Sequence, residues 1–561
     1  MIGILLAASL LAHQNASPDF KYRWVYTMTN MYRAEEADRL VGIIQRASKV
    51  GYNGLVFADT KLQSLSEMPD FYIKNFKKVQ TAAQENHVSL IPAVMSVGYS
   101  NSFLAHDPNL IEGMPVVDAP FTVRNRLANL VPTEGQHFKN GNFEGANGDK
   151  VNGLSYQDGP GQSSFYDSTT FHNSGHSIRM ENPGAVKEVG GNCRVVQQVS
   201  TTPFRQYHVS AWLKTQDFDQ ASNVRIIALD SKGQSLCFQD LSVKPTQDWT
   251  NVHITFNSQK AESVSVYIGV WGGNKGKMWV ADTQFEETGL LNVIRRSGCP
   301  VVVKGTDGTV YKEGEDFEQI VDPHFGNIPW PGEYEIYHAS PPIKIIPGSR
   351  IREGQHLLVS FYAATVTGGD QANACVSEPE WDKLAIEEVH RVNQLFQPSG
   401  FFLSHDEMRV AGWCATCQAR HLTPGQVLAS NVARCGQIIK QEHPGAEMFV
   451  WSDMFDPYHN AHNNYYLVNG DLKGSWLGLP PEAVIVNWNS GDAKNSLPFF
   501  DEKGFGQILA GFYDGPVESI KGWLNDAKTL KHLKGVMYTT WVGDYSKLEK
   551  FAQVAWGTGR K

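Results

Sequence analysis

Gly400-Phe-Phe-Leu-Ser-His-Asp-Glu-Met-Arg409 is the stretch of sequence on which the predicted fold depends. A turn signal, Gln397-Pro-Ser-Gly400, precedes the short apolar run, as is typical of a strand that is buried on both faces. A parallel barrel places its chemistry at the carboxyl ends of such strands. The stretch therefore predicts a buried parallel strand that presents Asp406 and Glu407 at its carboxyl end.

The chain before this stretch alternates between strand and helix patterns. Apolar runs at 22–28, 54–58 and 88–94 are separated by segments with helical spacing at 35–50 and 71–85. Three successive strand–helix units predict a parallel sheet with helices on its outside.

The same alternation resumes near residue 381. Helical spacing marks 381–396, and Thr423 with Pro424 forms a cap and first turn for a second helix that runs to 443. With the opening stretch as the fourth strand, four more strands follow at 447–451, 483–488, 507–513 and 536–541. Eight such strands predict the fold class α/β, a (β/α)8 TIM barrel.

Between the two barrel parts the pattern becomes all-β. Alternating strands from Phe138 onward, among them 138–144 and 172–179, predict an inserted β-sandwich of the jelly-roll type. A second β-rich stretch predicts a small accessory sheet, although its run His356–Tyr362 could instead be a ninth barrel strand. The predicted boundaries are a signal peptide at 1–16, the first barrel part at 17–134, the jelly roll at 135–288, the accessory segment at 289–366, and the second barrel part with the site at 367–561.

Composition and the amino terminus exclude several classes of partner. The formal net charge is −9 and no basic run occurs, which argues against nucleic acid and anionic membranes. The apolar segment 1–12 is too short to span a bilayer and ends in small residues, so it predicts a signal peptide and a secreted or periplasmic protein without a membrane anchor. In an exported protein, the fourteen Trp are compatible with stacking on sugars.

The seven cysteines do not form a dense disulfide framework. Cys414-x-x-Cys417, together with Cys375 and Cys435, fits a disulfide, a metal site or buried thiols. A single Cys-x-x-Cys lacks the second half of a zinc pattern, which favours a structural role.

Further candidate residues fall at the ends of the predicted strands. Because the carboxyl ends of parallel barrel strands share one face, side chains from distant segments would meet there. These candidates are Trp451, Asp453, Trp488, Tyr513, Asp514 and Trp541.

The Asp-Glu pair ending the fourth strand, the Tyr-Asp ending the seventh and the Trp-ended strands resemble the family 20 β-N-acetylhexosaminidases and their clan. The likeness covers about 20–130 and 370–556. This chain departs from the family in having Ser404-His405 where glycines are usual, in its Cys-x-x-Cys, and in lacking the family's N-terminal α/β domain. These departures affect the predicted substrate more than the predicted fold.

The resemblance implies a secreted glycoside hydrolase in which the substrate's own 2-acetamido oxygen attacks the anomeric carbon. Glu407 would be the general acid, with a pKa raised in an aromatic pocket, and Asp406 would stay ionised and orient the acetamido N–H. Tyr513 would bind the acetamido carbonyl and Asp514 a hydroxyl. Trp488 and Trp541 would enclose the sugar ring, and Trp451 is a further substrate-binding candidate. For His405, Arg409 and Asp453 the alternatives are contact with the substrate, support of the site and plain structural pairing.

The segment from about 136 to 287 resembles the jelly-roll carbohydrate-binding modules of polysaccharide-degrading enzymes. Such modules often hold a structural calcium, for which Glu144 and Asp282 are the matching candidates. The module either binds glycan through exposed aromatic side chains or serves as a packing domain. No cofactor is expected for catalysis, and the expected partner is an oligosaccharide or polysaccharide.

Two other functions remain open at this point. One is a barrel glycosidase with a conventional pair of carboxylates, in which Asp453 or Asp514 is the nucleophile or base. The other is a non-catalytic glycan-binding protein, since a fold alone does not establish activity.

Overall fold

The computed structural model describes residues 20–557. The predicted signal peptide at 1–16 lies outside the described residues. Eight parallel strands form a closed barrel in chain order. They are β1 (Tyr22–Met28), β2 (Gly54–Ala58), β3 (Ser89–Val94), β4 (Gly400–Leu403), β5 (Glu447–Trp451), β6 (Val484–Asn487), β7 (Gly506–Phe512) and β8 (Leu533–Thr539). The predicted fold class is confirmed.

Helices cover the outside of the barrel. The longer ones are α1 (Ala34–Lys49), α2 (Asp70–Glu85), α3 (Pro379–Phe396), α4 (Pro424–Glu442), α5 (Ala493–Glu502), α6 (Ile520–Asp526) and α7 (Leu548–Ala555). Thr423 caps α4 through a reciprocal capping box with Gln426, as the sequence predicts for its start. Short α-helices span Asn101–Leu104 and Ala415–Ala419. Short 3₁₀ segments span Thr60–Glu67, Pro108–Leu110, Pro183–Ala185, Lys187–Val189, Ala221–Asn223, Asp453–Phe455, Ser475–Gly478, Val517–Ser519 and Ala527–Thr529.

The connection between β5 and β6 departs from the regular pattern. It contains two 3₁₀ turns, and no α-helix is present among its described residues. Its short strand Leu467–Val468 pairs in parallel with Val410–Ala411, which lies in the loop after β4. The loops that follow β4 and β5 are therefore joined by backbone hydrogen bonds.

Two antiparallel sheets form the inserted sandwich. The five-stranded sheet has the order Gln247–Asn257, Gln206–Gln216, Lys277–Glu287, Ser177–Glu181 and Ser164–Asp167. The four-stranded sheet has the order Val224–Leu229, Ser263–Val270, Cys193–Ser200 and Tyr156–Gln157. A short hairpin of Ala146–Asn147 and Lys150–Val151 lies beside them.

Two strands predicted in the sandwich differ from the structure. Residues 138–144 form turns, because the Asn140 side chain donates to the carbonyl oxygens of Glu144 and Asn152 and so replaces ladder bonds. Phe138 and Phe143 are nevertheless buried in the sandwich core. In the stretch 172–179 only the last residues are extended, in the strand Ser177–Glu181.

The accessory sheet has six strands from both sides of the sandwich. Its order is Val310–Tyr311, Val302–Gly305, His356–Ala364, Gly113–Arg124, Leu127–Leu130 and Ile343–Lys344. The run His356–Ala364 is thus a central strand of this sheet and not a ninth barrel strand. Residues 113–130, which the sequence analysis placed in the first barrel part, also pair here.

Separate apolar cores support these units. Side chains that point into the barrel, such as Trp24, Ile91 and Phe449, form one cluster, while the sandwich and the accessory sheet each have their own. Within residues 20–557, the helices lack the combination of length and apolar character that crossing a bilayer requires.

Candidate active site

A cavity of about 500 Å³ opens at the carboxyl end of the barrel. It is lined by two adjacent carboxyl residues, by an aromatic wall and by smaller side chains after β1, β2 and β3. The lining residues are Tyr26, Met28, Thr29, Ala58, Asp59, Thr60, Gln63, Ala93, Ser96, Tyr99, Ser404, Asp406, Glu407, Trp451, Trp488, Tyr513 and Trp541. The structure thus brings six of the ten predicted site residues to one cavity.

The backbone after β4 sets the direction of the carboxyl pair. Ser404 donates its N–H to Val94 and accepts from the N–H of Val97, so pairing with the β3 segment continues past the strand end. Glu407 then adopts a left-handed φ of 46°, which turns its side chain away from that of Asp406. The side chains of Asp406 and Glu407, although adjacent in sequence, can therefore occupy different positions in the cavity.

Three groups hold Glu407. The Tyr99 hydroxyl donates to its Oε2, and Arg409 forms an ion pair with the same oxygen at 2.9 Å. Its backbone N–H donates to Oδ2 of Asp453 at 2.9 Å. Arg409 in turn lies over the ring of Tyr466, 4.6 Å from its centroid. Arg409 is therefore a support of Glu407 that lies behind the cavity wall.

Asp406 has a different environment. Burial, followed by the charges of Asp453 and Glu407, raises the pKa of Asp406 well above its ordinary range. Within residues 20–557, no side chain and no backbone N–H other than its own donates to its carboxyl group. The sequence analysis expected Asp406 to stay ionised, and this expectation stays a prediction. In the substrate-free structure, burial and the two neighbouring carboxyls act against the ionised form.

Asp453 lies beneath this pair and is fully buried. Its Oδ1 accepts from the indole N–H of Trp488 at 3.0 Å, and its Oδ2 accepts from Asn460 and from the Glu407 backbone. Burial is the main cause that raises the pKa of Asp453 to about 6. Both of its oxygens are occupied, so Asp453 positions Trp488 and Glu407 and does not line the cavity.

Aromatic side chains form the opposite wall. The rings of Trp488 and Tyr513 are stacked with centroids 5.9 Å apart, and Trp541 packs edge-on against Tyr513 at 5.7 Å. Trp451, at 1 % exposure, forms the floor below Trp541. This arrangement places flat apolar ring faces beside carboxyl groups in one cavity.

Besides Arg409 and Asp453, two more predicted site residues lie outside the cavity. His405 is buried, and its Nε2 contacts Oδ1 of Asn431 on α4 at 2.9 Å. Burial lowers the pKa of His405 to about 4, which keeps the ring neutral. Asp514 is exposed and accepts from the Thr540 hydroxyl and from the Trp541 backbone N–H, so it holds the turn after β8. Both residues are engaged in protein contacts, and their expected contacts with a sugar stay a prediction.

Sequence reasoning missed Tyr99 and Tyr26. Tyr99 lies five residues beyond the end of β3 and reaches Glu407 only because the loop turns back over the barrel. Tyr26 lies within β1 and points into the barrel beside Trp451 and Trp541. The period of two in β1 predicts that Tyr22, Trp24 and Tyr26 share one face, and this was the available signal for Tyr26.

The two predicted calcium ligands have separate partners. Glu144 accepts from the side chain of Asn142, whereas Asp282 pairs with His172 and with the backbone N–H of Asn173. The calcium stays a prediction. Among the described residues, two other clusters have the composition of metal sites, namely Glu112 with Cys375, Cys414 and Cys417, and His324 with Glu335 and His338.

No protein-family model matches the chain, and no curated protein matches it. Among solved structures, a rhamnosidase from Novosphingobium sp. PP1Y is 10 % identical over 96 % of this chain and 60 % of its own, with a TM-score of 0.31. A β-N-acetylhexosaminidase is 15 % identical over 34 % of this chain and 45 % of its own, with a TM-score of 0.26. A CBM4 structure is 15 % identical over 27 % of this chain and 99 % of its own, with a TM-score of 0.19.

The solved structures similar to parts of this chain thus include glycoside hydrolases and carbohydrate-binding modules. The chain spans less than two thirds of the length of either enzyme. At such low identities and TM-scores these likenesses do not bear on activity, for which the evidence is the cavity itself.

Proposed function

We propose that this protein is a retaining glycoside hydrolase that cleaves glycans at a 2-acetamido sugar with assistance from the acetamido group. The observation that carries the proposal is the placement of Asp406 and Glu407 side by side in an aromatic cavity at the carboxyl end of the barrel. That face is where barrel enzymes carry their chemistry.

The cavity suits a pyranose ring. Its volume of about 500 Å³ lies within the range of small-molecule sites. Trp488, Tyr513 and Trp541 present ring faces and edges against which the C–H groups of a sugar can pack. The carboxyl groups face this wall and supply the polar contacts that orient the sugar.

The distribution of carboxylates favours substrate assistance over a conventional pair. A conventional glycosidase needs a second carboxylate across the sugar from the acid. Asp453 and Asp514 have their oxygens engaged in protein contacts and lie outside the cavity. Asp59 lines the cavity, but it accepts from Met31, Lys61 and Tyr72. Asp406 and Glu407 remain, and assistance by the acetamido oxygen requires only these two.

Their positions divide the roles. Glu407 lies beside Tyr99, which is 40 % exposed, and so stands nearer the opening, through which the departing part of the glycan leaves. We therefore assign the general acid to Glu407. Asp406 lies deeper, where it can accept a hydrogen bond from the acetamido N–H and offset positive charge on the cyclised intermediate.

Two hydrogen bonds would orient the acetamido group in this proposal. Burial and the neighbouring carboxyls raise the pKa of Asp406, so its ionised form is favoured by an added hydrogen-bond donor. The acetamido N–H supplies that donor. In this proposal Tyr513, which lines the same cavity, donates its hydroxyl to the acetamido carbonyl. Burial raises the pKa of Tyr513 to about 12, which keeps its hydroxyl protonated.

Substitution of the two carboxyls separates their roles. We expect Glu407→Gln to lose roughly a hundred- to ten-thousandfold in kcat on a natural glycan, as is typical of a lost general acid. The loss should shrink on a nitrophenyl N-acetylglycoside, whose leaving group needs little protonation. Asp406→Asn should slow both substrates, because the acetamido nucleophile is disturbed whatever the leaving group.

The measurement is kcat and KM for both variants on both substrates, with an N-acetyl-thiazoline as inhibitor. If Asp406→Asn is the variant that the activated leaving group rescues, the two roles are reversed. If the wild type ignores the thiazoline and cleaves glycosides without the acetamido group equally well, substrate assistance is wrong. If the wild type binds glycan but turns over neither substrate, the protein is a non-catalytic glycan-binding protein.

A further inference from the structure

Three cysteines and one glutamate from distant parts of the chain meet in the interior. The Sγ atom of Cys375 lies 3.5 Å from the Sγ atoms of both Cys414 and Cys417. Oε2 of Glu112 lies 3.5 Å from the Cys417 sulfur and 3.8 Å from the Cys414 sulfur. All four side chains are buried, and their ligand atoms lie within 4.8 Å of one another.

The spacing matches a tetrahedral metal site. Zinc–sulfur bonds of about 2.3 Å in a tetrahedron place ligand sulfurs about 3.8 Å apart. A disulfide would join two of the sulfurs at about 2.05 Å and leave the third thiol and the carboxylate without a common partner. Here Cys375 is equidistant from both other sulfurs, and the carboxylate closes the fourth corner.

Backbone N–H groups fix the orientation of the Glu112 side chain. Its Oε1 accepts the N–H groups of Trp413 and Cys414 at 2.9 and 2.8 Å. Its Oε2 is thereby turned towards the thiols. Such hydrogen bonding to the second oxygen is how proteins orient a carboxylate that ligates a metal.

A buried cation lies next to the cluster. The charge of the Arg296 guanidinium acts on Glu112, and Arg296 itself is held by Glu378 and by the carbonyl oxygens of Asn109 and Ile111. Three thiolates and a carboxylate around a divalent ion leave a net negative charge, which this guanidinium offsets.

We propose that Glu112, Cys375, Cys414 and Cys417 form a structural site for one divalent metal ion of the zinc class. Thiolate ligands in a tetrahedral arrangement select zinc over magnesium or calcium. Four protein ligands leave no open position for substrate, so the ion has no part in the reaction. The site does not depend on the proposed glycosidase activity.

The positions of the four ligands in the fold indicate what the ion would stabilise. Glu112 directly precedes the accessory strand Gly113–Arg124, and Cys375 lies four residues before α3, where the chain returns to the barrel. Cys414 and Cys417 lie in the loop that carries Glu407 and Arg409. The ion would tie both ends of the inserted block to the loop of the candidate site.

Metal analysis of the full-length protein tests the proposal. After purification without chelators, mass spectrometry of the elements should find about one zinc per chain. Cys375→Ser and Cys417→Ser should lose this zinc. The matched control Cys237→Ser, a buried cysteine of the sandwich core, should retain it. Replacement of zinc by cobalt in the wild type should give thiolate-to-cobalt charge-transfer bands, which needs no variant to fold.

Three results would overturn the proposal. One is a wild-type protein that holds neither zinc nor cobalt. Another is a disulfide between two of the cluster cysteines, which a non-reducing proteolytic digest would show as a cross-linked peptide lighter by two hydrogen atoms. The last is equal zinc content in wild type and Cys375→Ser, which places the ion elsewhere.

Discussion

Three carboxyl groups lie together after β4 and β5, and each has a different environment. Glu407 is paired with Arg409, Asp406 has a raised pKa and no donor from another described residue, and Asp453 has donors on both oxygens. At the level of single residues, three carboxyl groups of the same type therefore differ only in the contacts that surround them.

Glu388 on α3 is a buried carboxyl outside the site and gives a prediction on stability. Burial raises the pKa of Glu388 to about 8 from 4.5, and both of its oxygens accept from the Met95 N–H. Between these pH values the unfolded chain releases the proton and the folded chain keeps it. Stability is therefore lost as pH rises through this window, by about 1.4 kcal/mol per unit.

We expect Glu388→Gln to remove this loss, because glutamine keeps an acceptor for Met95 and has no proton to release. Its gain in Tm over the wild type should grow from about pH 5 to pH 8. Differential scanning calorimetry across this range measures it, with the exposed neighbour variant Glu387→Gln as control. If the Tm difference between Glu388→Gln and the wild type were the same at about pH 5 and at about pH 8, the raised pKa of Glu388 would be contradicted.

At the scale of elements, the loop after β3 supports the loop after β4. Val97 binds the Ser404 carbonyl, and the adjacent Gly98 lies directly against the Asp406 backbone. A Cβ at Gly98 would lie 1.9 Å from the Asp406 carbonyl oxygen, a contact that real side chains do not make. The position of the carboxyl pair thus depends on a glycine in a neighbouring loop.

Gly98→Ala should therefore displace the carboxyl pair. We expect kcat to fall by on the order of a hundredfold, since a shift of about 1 Å at reacting groups has effects of this size. Gly369→Ala, where a Cβ meets nothing within 4 Å, is the matched control. Steady-state kinetics on the aryl glycoside decides, and unchanged kcat in Gly98→Ala would show that the loop accommodates the methyl group.

At the scale of the whole molecule, the sandwich reaches the site. Phe238 of the sandwich packs on Tyr466 with centroids 4.4 Å apart, Tyr466 lies over Arg409, and Arg409 pairs with Glu407. The Asp240 N–H also donates to Gly368, which is close to the Arg409 guanidinium. The inserted domain therefore helps to hold Glu407, the proposed general acid, in place.

Phe238→Ala should weaken this support without touching the cavity. We expect kcat/KM to fall on the order of tenfold through misplacement of Arg409. Phe171→Ala, which removes an exposed sandwich ring, should leave it unchanged. Equal activity of the two variants, both with wild-type Tm, would mean that the sandwich and the site are independent.

Local sequence patterns were enough to predict the barrel and the face that carries the candidate site. Apolar runs after turn signals marked the eight strands, and Thr423-Pro424 marked the start of α4, because strand burial and helix capping act on neighbouring residues. Since parallel strands end at one face, the carboxyl pair and the aromatic wall could be named before their contacts were seen. Where Asn140 satisfied the backbone locally, the predicted strand 138–144 was wrong.

Which of these side chains face the cavity, and which residues hold them there, follows from contacts between distant segments. His405 turned inward to Asn431, Tyr99 came from another loop, and Phe238 came from another domain. The cluster of Glu112 with Cys375, Cys414 and Cys417 joins three segments that lie far apart in the chain. Such contacts form when the barrel closes and the insertion docks on it. Patterns among neighbouring residues cannot predict them, because the contacting residues lie far apart in the chain.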